Sequence, residues 1–487
     1  YDYKELRAEL EAFGISFCTH SDTEVLINTI QQYGEKALDK LRGMFGFAVW
    51  NEQEQSLMLA RDFFGIKPVY YAEIDGHFVF ASEIKSILAF PGYERKVNQK
   101  ALEQYLSFQY SPLEETFFRG IYKLMPGHML LYKNGNYEIK TYFKTKLAPG
   151  QWDRKTNMEQ LRNELAEILK DSVKHHMLSD VEVGAFLSGG VDSGYLASSS
   201  GADQAFTVGF DEGDRYSEVN KAAKVAEKAG LKHHVKIISK QEFWDALPDV
   251  MYHMDEPLAD ASAVALYFLS KEAAGHVKVV LSGEGADELF GGYNIYREPE
   301  SLKKIAWIPF GVRRVIGKLA AKLPDVKGRD FLIRAGMKVE ERFIGNAYIY
   351  REKEKTQILK NKVTGPSTQE YLRPFFEELE SENRGSLRDM EKMQSVDLRY
   401  WLPGDILQKA DKMSMAHSLE VRVPFLDKEV FDFAAKLPKE AKIAAGTTKY
   451  IFRKAVSEFL PQETDERRKL GFPIPIRVWL RQDDWYQ

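Results

Sequence analysis

Cysteine is nearly absent from this sequence, since Cys18 is the only one among 487 residues. A single thiol cannot form an intramolecular disulfide, and Cys18 has no neighbour at a metal-ligand spacing. The disulfide-stapled secreted class is therefore excluded, and a cytoplasmic location is expected. No apolar run approaches the roughly 20 residues that span a bilayer, and no signal-peptide pattern opens the chain, so no membrane contact is expected.

An excess of charge of one sign is lacking as well. Acidic and basic residues are interspersed and sum to a net charge of -4, which gives no electrostatic case for a nucleic-acid partner. The hydrophobic fraction of 44% and the charged fraction of 29% are typical of a globular protein. Because 487 residues are too many for one ordinary core, two or more domains are expected.

The first part of the chain changes character after residue 43. Residues 1–43 have the apolar spacing that predicts helices, whereas the short alternating runs that follow predict stacked strands. An Asn-Gly pair at 134–135 predicts a tight hairpin turn. A polar stretch at 146–157 is the best candidate linker, and it divides the chain into a domain at 1–150 and a second domain at 155–487.

Strands and helices alternate beyond this linker. A helical pattern over about 158–176 precedes the apolar strand at 184–187, and further strands and helices follow in turn. This order predicts a parallel sheet with helices on both faces. Beyond about Leu302 the pattern is predominantly helical. Both ends of the chain lie inside helical patterns, so we expect both to be cuts rather than natural termini.

A loop rich in glycine and serine at 188–193 directly follows an apolar strand. Its glycines let backbone N–H groups approach a phosphate, its serines can donate further hydrogen bonds, and the following helix offers its positive end. Asp192 would repel a phosphate unless a cation such as Mg²⁺ lay between them. A plain glycine turn would explain the glycines alone. The loop therefore predicts phosphate binding, although it is not a Walker loop.

A second cluster of polar residues lies at 282–293, again directly after an apolar strand. These twelve residues contain three acids and four glycines. The carboxyl end of a strand is where an open α/β sheet binds its ligand. Asp287 is a candidate second magnesium ligand, and Glu284 is a candidate acid or base. A solvated acidic loop would not explain the glycines.

The loop at 188–193 resembles the pyrophosphate loop of the ATP-pyrophosphatase superfamily, whose members cleave ATP to AMP and pyrophosphate. Together with the segment 282–293, the sequences DEPLADASA at 255–263 and SMAHSLEVRVPFLD at 414–427 are closely similar to the asparagine synthetase family. The sequence SDTEVL at 21–26 resembles the glutaminase domain of that family. The resemblance runs over essentially the whole chain.

The resemblance implies an α/β protein. A partial glutaminase β-sandwich of the N-terminal-nucleophile type, itself α+β, would precede a parallel-sheet ATP-pyrophosphatase domain with a helical C-terminal part. It also implies ATP-dependent amidation of aspartate to asparagine through a β-aspartyl-AMP intermediate. ATP and Mg²⁺ would be the cofactors, and in the intact protein glutamine would supply the ammonia. A homodimer is compatible with the resemblance.

The resemblance assigns roles to matching positions. Glu284 matches the glutamate needed to form the intermediate, Lys469 matches the lysine at the adenylated carbonyl, and Asp22 matches the residue that binds the amino group of glutamine. Asp192 and Asp287 match the carboxylates that hold magnesium in the family. The positions that match contacts with ATP are Leu187, Ser188, Gly189, Gly190, Asp192, Ser193, Val208, Ser282 and Gly283.

Several assignments stay open. Lys449 competes with Lys469 and could equally contact phosphates, while Arg422 and Asp427 are explained as well by a structural ion pair as by substrate contact. The family's nucleophilic N-terminal cysteine has no counterpart here, so we expect this polypeptide to use ammonia and not glutamine. A tailoring amidotransferase acting on another carboxylic acid or a peptide is an alternative. A β-lactam synthetase-like cyclase is disfavoured, because that family has tyrosine where Glu284 stands.

Overall fold

The computed structural model describes residues 1–149, 157–213, 216–360, 364–383, 385–461 and 474–481. Most of the predicted linker and the predicted domain boundary between 150 and 155 fall outside these ranges, so the boundary stays a prediction. Lys469 also lies outside the described residues. Among the helices that are described, none combines the length and the apolar character needed to cross a membrane.

Two antiparallel sheets form the first half of the structure. Their strands are β1 Gly46–Asn51, β2 Ser56–Arg61, β3 Tyr70–Ile74, β4 His77–Ala81, β5 Ile121–Lys123, β6 His128–Lys133 and β7 Asn136–Thr141. One sheet has the order β1-β2-β6-β7 and the other has the order β4-β3-β5. Leu59 and Leu130 from the first sheet pack against Tyr71 from the second. The predicted stack of sheets is therefore confirmed.

The predicted hairpin turn joins β6 and β7. Asn134 and Gly135 have φ of 53° and 78°, which is the left-handed conformation that a tight turn of this kind requires. The turn sets the register, with Lys133 opposite Asn136 and His128 opposite Thr141.

The helical pattern over the first 43 residues is divided into separate helices. The helices of this half are α1 Tyr3–Ala12, α2 Asp22–Tyr33, α3 Ala37–Lys40, α4 Ile84–Leu88 and α5 Gln99–Phe108. Between α1 and α2, the Glu24 carboxylate accepts hydrogen bonds of 2.7 Å from the backbone N–H groups of Cys18 and Thr19. Ser21 then caps α2 by accepting from the Thr23 N–H at 3.2 Å. These side-chain bonds hold a non-helical connection that apolar periodicity does not detect.

A five-stranded parallel sheet forms the centre of the second half. Its strands are β8 Val183–Phe186, β9 Gln204–Phe210, β10 Lys232–Ile238, β11 Val279–Leu281 and β12 Glu420–Arg422. They lie in the order β10-β9-β8-β11-β12. The order reverses between β8 and β11, and ligands of open α/β sheets bind at such a point. The three-residue strand β12 was not predicted, because it is too short to show a period.

Helices make up most of the remaining described chain. They are α6 Met158–His176, α7 Val191–Ser199, α8 Val219–Ala229, α9 Lys240–Asp245, α10 Leu247–Met254, α11 Ser262–Ala274, α12 Ala286–Phe290, α13 Glu298–Leu302, α14 Phe310–Ala320, α15 Arg329–Ala335, α16 Val339–Arg342, α17 Glu352–Ile358, α18 Thr368–Asn383, α19 Asp389–Val396, α20 Leu407–Met415, α21 Lys428–Lys436, α22 Lys439–Lys442, α23 Tyr450–Val456 and α24 Ile476–Trp479. A π-helix at Asp397–Ile406 connects α19 to α20. The predicted helix over 158–176 and the predominantly helical later region are confirmed.

Helices cover both faces of the parallel sheet, as predicted. Along β8, Ala185 packs with Ala222 and Val225 of α8, whereas the next residue, Phe186, joins the main core. Successive side chains of a strand point to opposite faces, so these two groups lie on opposite sides of the sheet. Helix α11 packs against β9 and β10. The sheet is therefore the buried middle layer of the second half.

Ion pairs and aromatic contacts join the two halves. The Arg42 guanidinium bonds to both carboxylate oxygens of Asp427 at 2.9 and 3.0 Å, and the Phe64 and Phe431 rings lie 5.5 Å apart. Asp427 also caps α21 by accepting from the Glu429 N–H at 2.9 Å. These contacts give Asp427 a structural role at the junction of the two halves.

Arg422 also has structural partners. Its guanidinium donates to the backbone carbonyls of His176 and Leu178, both at 2.7 Å, and to the Glu420 carboxylate at 2.7 Å. The two carbonyls lie at the C-terminal end of α6, where unpaired backbone acceptors need donors. Arg422 therefore anchors the end of α6 to β12.

Burial makes His176 a pH-sensitive element of this junction. Its Nδ1 donates to the Ser172 carbonyl at 2.8 Å. Burial lowers the pKa of His176 from 6.5 to about 4, and the Arg422 guanidinium adds to this effect while Asp427 opposes it. The neutral ring is therefore the form that the fold stabilises.

We expect His176 to make the protein less stable as the pH falls. The unfolded chain takes up a proton near pH 6.5, whereas the folded protein does so only near pH 4. The free energy of unfolding therefore decreases across this window, by roughly 3 kcal/mol from this residue. His176→Gln keeps a donor for the Ser172 carbonyl and does not titrate. Urea unfolding at pH 7 and pH 4.5 should show a loss smaller by roughly 2–3 kcal/mol in the variant.

The exposed His20 provides the control for this experiment. His20→Gln should lose as much stability on acidification as the unsubstituted protein. Equal losses in His176→Gln and the unsubstituted protein would contradict the role of His176.

Candidate active site

A cavity of about 440 Å³ opens at the carboxyl ends of β8, β9 and β11, where the strand order reverses. It brings together most of the residues singled out in the sequence. Those that line it are Leu187, Ser188, Gly189, Gly190, Asp192, Ser193, Val208, Ser282, Gly283, Glu284 and Asp287. Lys449, Glu288 and Lys409 also line it.

Asp22 lies in a different place, in the first turn of α2. It borders a separate cleft of about 1210 Å³ that both halves of the chain line. Its backbone carbonyl accepts a hydrogen bond from the Tyr1 hydroxyl. The residue predicted to bind glutamine is therefore in the first half, apart from the cavity at the parallel sheet.

Hydrogen bonds between Ser188 and Ser193 join the two ends of the loop at 188–193, which leads into α7. The Ser188 N–H donates to Ser193 Oγ at 3.0 Å, and the two hydroxyl oxygens lie 2.9 Å apart. Gly189 has a φ of 71°, and a Cβ at this position would lie 2.6 Å from the Cβ of Lys221. The loop therefore requires glycine here, and it offers hydroxyls and a helix N-terminus to phosphate oxygens.

The wall beside this loop is apolar. Leu187 and Val208 are buried, and the Leu187 N–H donates to the Phe206 carbonyl at 2.9 Å. The Thr207 hydroxyl returns a hydrogen bond of 2.6 Å to the Leu187 carbonyl. These bonds hold the ends of β8 and β9 side by side. A fixed apolar wall beside a phosphate-binding loop suits a purine base.

Lys449 connects the two loops of the cavity. Its Nζ lies 2.6 Å from both carboxylate oxygens of Asp192 and 2.8 Å from Asp287 Oδ1, and its side chain is only 3% exposed. We call these three residues the lysine bridge. Because two carboxylates meet one ammonium, the bridge carries a net charge of -1.

The backbone around the lysine bridge is strained and crowded. Lys449 has a φ of 53°, a left-handed conformation that costs a non-glycine residue about 1–3 kcal/mol. A Cβ on Gly292 would lie 1.9 Å from Asp287 Oδ1 and 2.2 Å from Lys449 Cε. Only glycine therefore fits beside the bridge, which explains one of the four glycines in the segment 282–293.

Two glutamates of the second loop have different surroundings. The Ser282 hydroxyl donates to the Glu284 carboxylate, which faces the cavity. Glu288 is 1% exposed and accepts from the Tyr293 hydroxyl at 2.7 Å. Burial, together with the nearby Asp287 charge, raises the pKa of Glu288 to about 7. Glu288 was not predicted as a site residue, because its burial depends on packing by distant segments.

The positions of the two carboxylates in the lysine bridge can be compared with the ligand preferences of Mg²⁺. Mg²⁺ prefers oxygen ligands and is commonly held by one or two carboxylates together with substrate phosphates. Asp192 and Asp287 bring carboxylate oxygens to within 2.8 Å of one shared cation and leave an excess negative charge. These two residues fit the ion, and they would hold it at the phosphates.

Family models match both halves of the chain. Residues 164–486 match the model for asparagine synthase, and residues 1–143 match the model for a glutamine amidotransferase domain. The chain belongs to the asparagine synthase family.

The sequence similarity to members of the family extends over nearly the whole chain. Asparagine synthetase [glutamine-hydrolyzing] 1 of Bacillus subtilis (strain 168) is 46% identical over 99% of this chain and 76% of that protein. A putative asparagine synthetase [glutamine-hydrolyzing] of Mycobacterium tuberculosis (strain ATCC 25618 / H37Rv) is 41% identical over 99% of this chain and 74% of that protein. Amidase chry2 of Gibberella zeae is 28% identical over 98% of this chain and 76% of that protein.

Proposed function

We propose that this chain is an ATP-dependent ligase that amidates aspartate to asparagine through a β-aspartyl-AMP intermediate. The observation that carries the proposal is the meeting of three parts in one cavity, namely the loop at 188–193, Glu284 and the lysine bridge. The similarity to asparagine synthetases over 99% of the chain supports aspartate as the acceptor.

The first step activates a carboxylate, which is otherwise a very poor electrophile. An oxygen of the aspartate side chain attacks the α-phosphorus of ATP, and the bond from that phosphorus to pyrophosphate breaks. Ser188, Ser193 and the N-terminus of α7 bind phosphate oxygens, while Leu187 and Val208 contact the base. Mg²⁺, when bound, neutralises part of the phosphate charge.

The second step replaces AMP by nitrogen. Ammonia attacks the activated carbonyl, the bond from carbon to the AMP oxygen breaks, and one proton leaves the nitrogen. Glu284, whose carboxylate accepts a hydrogen bond from the Ser282 hydroxyl, acts in the first step, the formation of the β-aspartyl-AMP intermediate. We assign the cation that offsets the developing negative charge to Lys449, and Lys469 is the second candidate.

Glutamine is the proposed source of ammonia in the full-length protein. The match of residues 1–143 to a glutamine amidotransferase domain supports this source. Asp22 would bind the amino group of glutamine at the cleft that it borders. A cytoplasmic location is part of the same proposal.

The proposal is tested by the release of pyrophosphate from ATP. With purified protein, Mg²⁺ and ammonium chloride, we expect L-aspartate to release pyrophosphate and to yield an equal amount of asparagine and AMP. Pyrophosphate release that depends on another carboxylic acid, and not on aspartate, would favour a tailoring amidotransferase. Absence of release with every acid would refute ligase activity.

A further inference from the structure

Two histidines and a glutamate meet beside the parallel sheet. His234 lies on β10, Glu272 lies in the last turn of α11, and His276 follows two residues after the end of that helix. Each of the three side chains places one nitrogen or oxygen atom within 4.8 Å of the other two. We call these residues the histidine cluster. None of the three lines the cavity at the carboxyl ends of the strands, so the cluster is a separate place in the fold.

The imidazole of His234 is oriented by two hydrogen bonds in series. Its Nε2 lies 2.8 Å from Oε1 of Gln204, and the amide nitrogen of Gln204 donates to Glu182 Oε1 at 2.7 Å. Because the amide nitrogen faces a carboxylate, the amide oxygen faces His234, and this oxygen can only accept. The ring hydrogen is therefore on Nε2, and Nδ1 keeps its lone pair. Metal-binding histidines commonly have an outer partner of this kind, which fixes the ring and its tautomer.

The two imidazole rings pack together on an apolar surface. The His234 ring is stacked on the buried Phe206 ring with the centroids 5.0 Å apart, and the centroids of His234 and His276 are 4.0 Å apart. Burial, together with the neighbouring His276, lowers the pKa of His234. At pH 7.5 this ring is therefore neutral, which is the form that binds a metal ion.

The spacing and exposure of the cluster suit a bound ion. His276 Nε2 lies 3.6 Å from Glu272 Oε1. A tetrahedral zinc ion with bonds of about 2.0–2.1 Å holds its ligands ~3.3 Å apart, so movements of about 1–1.5 Å would close the three side chains around it. The side chains of His276 and Glu272 are 35% and 33% exposed, which lets an ion enter from solvent. The Glu272 carboxylate gives the cluster a negative charge that complements the ion.

We propose that His234, Glu272 and His276 bind a divalent transition metal ion, namely Zn²⁺. Two imidazole nitrogens and one carboxylate oxygen occupy three positions of a tetrahedron, and water takes the fourth. The ion joins the C-terminal end of α11 to β10, which is an edge strand of the sheet. Mg²⁺ prefers an all-oxygen ligand set, so the cluster selects a different ion from the one assigned to the lysine bridge. The proposal does not depend on the ligase function.

The test is the binding of zinc chloride to the purified protein, measured by isothermal titration calorimetry. Excess magnesium chloride keeps the carboxylates of the lysine bridge occupied. His276→Gln and Glu272→Gln each remove one ligand with little change of volume. We expect each variant to bind zinc more than ~10²-fold more weakly, because the loss of an outer partner alone costs about 10–100-fold in affinity. Gln204→Leu, which removes the outer partner of His234, should show that smaller loss.

His233 provides the matched control. It precedes His234 on β10, so its side chain points to the opposite face of the sheet, where its Nε2 lies 2.8 Å from the Thr207 hydroxyl oxygen. His233→Gln should bind zinc as tightly as the unsubstituted protein does. Equal zinc affinity in His276→Gln, Glu272→Gln and the unsubstituted protein would overturn the proposal. An equal loss in His233→Gln would overturn it as well.

The visible spectrum of Co²⁺ gives a second measurement that needs no variant. Cobalt takes the place of zinc at tetrahedral sites and then absorbs strongly, whereas cobalt with six oxygen ligands absorbs weakly. We expect strong bands from the unsubstituted protein in excess magnesium chloride, and we expect added zinc to abolish them. Weak absorption alone would overturn the proposal, even if thermal melting showed that the substituted proteins do not fold.

Discussion

Asp192→Asn and Asp287→Asn are each expected to lower ATP-dependent pyrophosphate release by about 10³-fold. The two carboxylates approach one shared cation from the loops after β8 and β11, and either amide removes a charge that Mg²⁺ needs at the phosphates. A bound metal ion contributes several kcal/mol of charge stabilisation in the transition state, which corresponds to a loss of this size. The measurement is the initial rate of pyrophosphate release across a magnesium titration.

The fold should survive these two substitutions, because asparagine has nearly the volume of aspartate. Asp203 is exposed and lies directly before β9, and Asp203→Asn should retain the full rate. Urea unfolding of all three variants separates a loss of activity from a loss of structure. Near-normal release by both Asp192→Asn and Asp287→Asn would refute their assignment as magnesium ligands.

Lys449→Ala is expected to lower asparagine formation by about 10²–10³-fold, the range found for the loss of one preorganised donor at a developing charge. The substitution also leaves Asp192 and Asp287 close together without the ammonium between them. Lys449→Arg should not restore activity, because a planar guanidinium does not replace a compact ammonium in a space bounded by Gly292. Rates of asparagine formation and equilibrium binding of ATP are to be measured separately.

Lys454 is the matched control, since it lies exposed on α23, close in sequence to Lys449. Lys454→Ala should keep both the rate and the affinity for ATP. Lys469→Ala is compared in the same assay. A larger loss from Lys469→Ala than from Lys449→Ala, with ATP binding intact in both, would exchange the roles of the two lysines.

The sequence predicted the parts of the site that are local. The loop at 188–193 and the segment 282–293 each follow an apolar strand, and the carboxyl ends of parallel strands meet at one edge of a sheet. Their glycines and acids could therefore be placed together before the strand order was known. The hairpin at 134–135 was predictable for the same reason, because two adjacent residues determine the turn.

The sequence did not predict contacts between segments far apart in the chain. Lys449 is 257 residues from Asp192. The segment GTTKY at 446–450, which contains Lys449, shows no periodicity that would distinguish this lysine from Lys469. In the sequence, Glu288 is one of three acids in the segment 282–293, and nothing there distinguishes it from the others. Only the packing around α12 shows that it is buried. No sequence pattern connects Gln109 with Asp405, whose side chains form a hydrogen bond of 2.6 Å between the two halves.

The sequence by itself therefore determined the class of chemistry, because phosphate binding depends on short runs of glycine, hydroxyl and carboxylate groups at strand ends. Only the tertiary structure decided which cation lies between the two aspartates and which glutamate is buried away from solvent. These properties depend on burial and on distances between side chains, and both arise when segments hundreds of residues apart pack around the same sheet edge.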